Sequence, residues 1–173
     1  KEQVEAKRDA LNGYSSKVGA LESLLVTLRT NQGVKAQSLN YQKNASTAAV
    51  TADSSNYVAQ QKNLEVAKMQ SNRYEQLLES GLKSNTEVER FRIKLAQQTA
   101  KTERALSKWE ASQNNLLDIS LELANNANNY LEKIAKTQSE LATAKSNLAT
   151  AQGELSKVKT KLASLELRAG YYF

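Results

Sequence analysis

Histidine, cysteine and proline are all missing from this 173-residue chain, and glycine occurs only six times. Without histidine or cysteine there are no imidazole bases, thiol nucleophiles or disulfides, and no usual zinc ligand set. The lack of cysteine is compatible with an oxidising compartment but does not demand one. Aromatic residues make up 6% of the chain and mean hydropathy is −0.61, so a compact globular core would be poorly supplied and an elongated shape fits better. No apolar run exceeds three residues, as in Leu24-Leu25-Val26, against the roughly 20 needed to span a bilayer. There is no glycine-rich phosphate loop. Acidic residues are scattered, and a pair such as Glu87 and Glu89 is two apart, hence not on one helical face. These absences predict a non-catalytic chain with no cofactor and no metal. The chain opens on Lys1 rather than Met, which reads as a segment of a longer protein whose signal or anchor lies elsewhere.

Charge adds a further exclusion. Lys and Arg total 24 against 18 Asp and Glu, a net +6, with a pI near 9.4. Such a balance can mark a nucleic-acid or anionic-membrane partner. Here the cations alternate with Glu along both halves and never form a run of five, which describes a solvated helical surface. No nucleic-acid partner is expected.

What is present is the composition of long helices: abundant Ala, Leu, Lys, Glu, Gln and Ser. In the second half Val88, Leu95, Thr102, Trp109, Leu116, Leu123, Tyr130, Thr137, Ala144, Ala151, Val158 and Leu165 recur every seven residues. A companion row, Leu106, Ala127, Ile134, Leu141, Leu148, Leu155 and Leu162, is interrupted at Gln113 and Ser120. Together they predict one coiled-coil seam without a phase change, over about 120 Å at 1.5 Å per residue. The first half shows two pieces: Val4, Leu11, Val18 and Leu25 with Tyr14, Leu21 and Leu28, then Val50, Tyr57, Leu64 and Leu78 with Ala67 and Tyr74.

Between the halves, residues 73 to 87 contain a helix stop and a helix start. Ser80 reads as the last helical residue, Gly81 as the left-handed position, and Leu82 as the residue that returns to Leu77 in a Schellman closure. Ser84 and Glu87 form the S-x-x-E capping box. The chain is therefore expected to be all-α: a long antiparallel two-helix coiled-coil hairpin over 1–168, with an ascending helix of about 1–80, a tip at 81–84 and a descending helix of about 84–168. Facing residues should have numbers that sum to about 165. The pattern weakens from Asn31 to Asn44, opposite Asn125, Asn126, Asn128 and Asn129, and helix propensity is poor there, so a break or bend around 31–46 is expected. Ala169-Gly170-Tyr171-Tyr172-Phe173 reads as a helix end leading into a β-strand, where a second domain would begin.

Arg73, Leu77, Gly81, Ser84 and Glu87 match R-x-x-x-L-x-x-x-G-x-x-S-x-x-E at every place. In this the chain resembles the periplasmic adaptors, or membrane fusion proteins, of the haemolysin-D type, whose α-hairpins carry Arg, Leu and Ser at the tip. Ser84-Asn85-Thr86-Glu87-Val88-Glu89 resembles the opening of their descending helix. Leu167-Arg168-Ala169-Gly170-Tyr171-Tyr172-Phe173 resembles the lead into their re-entering lipoyl-type strand, which would make 169–173 the lead-in to a truncated lipoyl or β domain, although the A-P-x-D-G segment that usually follows that strand is not in this chain. The resemblance implies an inner-membrane-anchored protein in the periplasm of a Gram-negative bacterium. It further implies ring assembly, commonly of six, and a bridge between an inner-membrane transporter of ABC or major-facilitator type and a TolC-type outer-membrane duct. Arg73, Leu77 and Ser84 would then dock on the duct, with Gly81, Leu82 and Glu87 forming the turn and its cap.

Each tip residue also has a purely structural account. Ser84 is explained as a cap, Leu77 as a contact for Leu82, and Arg73 as a partner for nearby Glu. A coiled-coil spacer or tether with no duct-binding role is the competing reading. The stretch from Asn44 to Gln61, whose only ionised residue is Asp53, is a candidate stripe for lateral packing.

Overall fold

The computed structural model describes residues 2–171. Two helices account for nearly all of them, α1 (Glu2–Glu79) and α2 (Asn85–Tyr171), and they pack against each other as an antiparallel hairpin. Neither helix meets a proline. The many Ser and Thr side chains, which in other settings compete for backbone groups, turn back onto carbonyls four residues earlier. Thr27, Thr47, Thr51 and Ser55 on α1 and Thr99, Ser120 and Thr137 on α2 all bond in this way, at 2.8–3.1 Å.

The chain divides into two compact units, one formed by the chain up to Ala36 with the chain from Asn125, the other by Gln37–Ala124. In the first, Val18, Leu21 and Ala144 are buried together, with Leu141 and Leu148 packed against them. Leu25, Thr137, Ala151 and Leu155 are also buried. Lys7 pairs with Glu154, and Lys145 with Glu22 at 2.8 Å.

In the second unit the cross-links are more polar. Thr102 Oγ1 donates to the Gln60 carbonyl at 3.2 Å, Gln98 Nε2 to Gln60 Oε1 at 2.8 Å, and Asn115 Nδ2 to Ser46 Oγ at 3.2 Å. Lys108 pairs with Asp53 at 3.0 Å. Tyr57 stacks on Trp109 with centroids 5.5 Å apart. Trp109 Nε1 is buried without a hydrogen-bond partner. In both units the numbers of bonded or stacked cross-helix partners sum to between 158 and 167, as the expected fold-back requires.

Three expectations need correction. First, α1 is not broken at 31–46 but continues as one helix. One row at seven-residue spacing, Val4, Leu11, Val18, Leu25, Gln32, Leu39, Ser46, Asp53, Gln60, Ala67 and Tyr74, is buried or half-buried along its whole length. Its middle members are mostly polar, which is why the sequence pattern fades there. Leu39 has 0% exposure and Ser46 is buried too, so the seam packing that supplies most of a helix's stability continues through the stretch despite its poor helix formers.

Second, the seam does change phase. Up to Asn126 the companion row on α2 is Ala105, Ser112, Ile119 and Asn126, and from Ala127 onward it is the expected Ile134, Leu141 and Leu148. Gln113 is exposed because the row passes beside it. The seam positions Asn126, Tyr130, Ile134 and Thr137 step by 4, 4 and 3, with Ala127 half-buried beside the first, and Leu25, Leu28, Gln32 and Ala36 step by 3, 4 and 4, so each helix inserts one 11-residue spacing. At about 3.67 residues per turn, such a step takes up the drift of a 3.6-residue helix against a strict heptad. Leu165, the last member of the heptad row, is 63% exposed.

Third, α2 continues through Ala169 and Gly170 to Tyr171, and no strand occurs among the described residues. The expected lead-in at 169–171 is helical, and Tyr172 and Phe173 lie outside the described residues. Strand preference is a packing preference that needs a neighbouring strand, and the structure offers none.

Leu39→Ala is expected to destabilise the chain by about 2–4 kcal/mol, as for other fully buried leucines. Val26→Ala, at a position 64% exposed, should cost no more than about 0.5 kcal/mol. Urea unfolding followed by circular dichroism checks both, and equal losses would show that Leu39 is not a packing centre.

Candidate functional site

The tip is built by local rules on both sides. Gly81 takes φ 72°, which glycine adopts without the Cβ clash that penalises other residues. Its N–H donates to the Leu78 carbonyl at 2.9 Å and the Leu82 N–H to the Leu77 carbonyl at 2.8 Å, the paired bonds of a Schellman closure. Ser80 N–H still bonds Gln76 at 3.1 Å, so the ladder ends where the sequence places it. Across the turn, Ser84 N–H donates to Glu87 Oε2 at 3.2 Å and Glu87 N–H to Ser84 Oγ at 3.3 Å. The expected capping box is present.

Two residues absent from the sequence motif tie this turn to the helices below. Lys83 Nζ lies 3.0 Å from Glu87 Oε1 and 5.6 Å from the centre of the Tyr74 ring, a cation–π distance. Tyr74 in turn stacks on Phe91, centroid to centroid 3.8 Å. Lys83 thus connects the last turn of α1 to the first turn of α2. The Lys83–Glu87 spacing of four was legible in the sequence. The contact with Tyr74 was not, because it depends on how the turn folds.

The motif residues fare differently. Gly81, Leu82, Ser84 and Glu87 are brought together by the bonds above. Ser84 is exposed, but its hydroxyl is committed to the cap. Leu77 is half-buried and shares a helical face with Arg73, four residues earlier. Arg73 is exposed and forms no hydrogen bond or ion pair among the described residues. The neighbouring Glu75 is taken by Arg92 at 3.0 Å. Leu82 makes the backbone closure onto Leu77, yet its side chain is 70% exposed.

Electrostatics at the turn follow from the same contacts. The Ser84 N–H, then the Lys83 ammonium, hold the Glu87 carboxyl below its ordinary 4.5. The hydrogen bond to Glu87 raises Lys83 above its ordinary 10.5. A carboxylate lowered in the folded state stabilises above the unfolded value, and that contribution is lost as pH falls through the folded one. A raised lysine contributes below 10.5 and loses that contribution as pH rises through the folded value.

Among the described residues no group of three or more acidic side chains is placed to hold a metal ion, and no helix is long and apolar enough to cross a membrane. Comparison of the chain with protein-family models, with curated proteins and with solved structures finds no match in any of the three.

Ser84→Ala should cost about 1 kcal/mol through loss of the cap, read as faster hydrogen exchange at the amides of residues 84, 87 and 88, which are bonded there. In the wild-type chain, protection of those amides, corrected for intrinsic exchange, should fall as pH drops below 4.5. It should not fall in this way in Glu87→Gln, which has no proton to gain there. Unchanged protection in the wild type across that range would mean that the box contributes nothing to the tip.

Proposed function

We propose that the chain is the α-hairpin of a periplasmic adaptor of the haemolysin-D type. In this reading it is a non-catalytic element that links an inner-membrane transporter, of ABC or major-facilitator type, to a TolC-type outer-membrane duct in a Gram-negative bacterium. Protomers would assemble in a ring through the whole protein, and the tip would meet the duct.

The observation that carries the reading is the state of Arg73. The exposed Arg73 guanidinium forms no hydrogen bond or ion pair among the described residues and keeps its donors open near a turn held by bonds on both sides. A guanidinium with open donors can bind carbonyls at the end of a partner helix. A turn that is already ordered loses little entropy on docking. One observation favours the spacer reading instead: the Ser84 hydroxyl is used by the cap, which accounts for that residue without any partner.

The two readings diverge at Arg73. Arg73→Asp in the whole protein should abolish export while helicity and thermal melting stay unchanged, since an exposed residue without an ion pair contributes little to folding. Ser84→Asp retains a capping side chain but adds charge to the tip, so lost export with an intact tip would assign Ser84 to the interface as well. Normal export by Arg73→Asp would replace the adaptor reading with the spacer.

A further inference from the structure

A Schellman closure ordinarily brings the side chain of the residue after the glycine down onto the last turn of the helix, where the two apolar groups cover each other. Here the backbone part of that closure is complete, with the Leu82 N–H 2.8 Å from the Leu77 carbonyl. The apolar part is largely unmade, because Leu82 remains 70% exposed. The exposure does not come from a loose loop. Gly81 is fixed in the left-handed region, Ser84 and Glu87 bond reciprocally one residue beyond Lys83, and Lys83 itself is held by Glu87 and the Tyr74 ring. A leucine is therefore presented to solvent on a backbone constrained from both sides.

We propose that Leu82 is the apolar anchor of the docking tip and that it acts with Arg73. This rests on the docking reading above. The partner it fits is an inter-helix turn of another protein, with an apolar cleft for Leu82 beside the unpaired carbonyls of a helix C-terminus. Those carbonyls carry the negative end of a helix dipole, which is the complement of the open Arg73 guanidinium. Leu77 is half-buried and so has less apolar surface to offer a cleft than Leu82. Anchors that insert into such clefts carry most of the binding energy of an interface, while their neighbours mainly exclude water.

The test uses the whole protein in its bacterial host, with the host's TolC-type duct affinity-tagged. Leu82→Ser should lower export by about tenfold or more with exchange protection of the tip amides unchanged, and Leu82→Met should restore it. A photo-crosslinking residue at position 82 should label the tagged duct. If Leu82→Ser exports normally while Arg73→Asp fails, Leu82 is not the anchor and the docking reading survives. If Leu82→Ser loses both export and tip protection, the side chain serves the turn and the inference is wrong. If both variants export normally, the inference and the docking reading fall together.

Discussion

Everything in this hairpin is counted from one left-handed residue. Gly81 at φ 72° lets the chain reverse within the few residues between Glu79 and Asn85, and the two closure bonds onto Leu77 and Leu78 fix the angle of departure. A Cβ at position 81 would meet nothing within 4 Å, so the demand for glycine is one of backbone conformation and not of space. Once the reversal is set, each residue of α2 has a designated height on α1. The stack of Tyr74 on Phe91 and the link from Gln98 to Gln60 both follow from that count.

A seam between only two helices cannot bury much. Leu39 and Val88 are the largest side chains that are wholly enclosed, and most seam residues are half-covered. Polar members of the seam make up in specificity what they lack in transfer energy. Thr102 and Gln98 both bond Gln60, and Ser46 accepts from Asn115. A slip by one heptad would break these pairings, at about 1–3 kcal/mol for each group left buried and unbonded, although the Thr102 hydroxyl would keep its bond to the Gln98 carbonyl on its own helix. Leucine rows alone would resist such a slip weakly, because one leucine row resembles the next. The exposed ion pairs add little to this, since pairs in water are worth about 0–1 kcal/mol.

The sequence was readable wherever structure is decided locally. The glycine turn, the S-x-x-E cap and the heptad row from Val88 to Val158 each depend on residues within one or two turns, and each was found at the expected place. Where burial decides, the reading weakened. Leu39 stands alone among polar neighbours, so no apolar period marked it, and only the register inherited from Leu25 and Gln32 puts it on the seam. The phase step hid for a similar reason: Gln113 and Ser120 looked like polar interruptions of one row, whereas the neighbouring row through Ser112 and Ile119 had taken over. At the C-terminal end, Gly170 and the tyrosine after it suggested a strand. That inference used a preference that operates only beside another strand.

The tip separates two kinds of residue that a sequence motif runs together. Glycine 81, Ser84, Glu87 and Lys83 spend their conformational or hydrogen-bonding capacity on the turn itself. Arg73 and Leu82 do not: one keeps its donors open, the other keeps most of its surface in water. A turn needed only to reverse the chain would be as stable with a polar side chain at position 82, since the closure there is made by the backbone N–H. A cation at position 73, which forms no hydrogen bond or ion pair among the described residues, adds little to the turn. The residues that the fold does not use are the ones through which a partner would be recognised. On the docking reading, the residues that the fold does use hold those two in place, so a loss of the cap and a loss of the contact would look alike in an export assay and differ only in the protection of the tip amides.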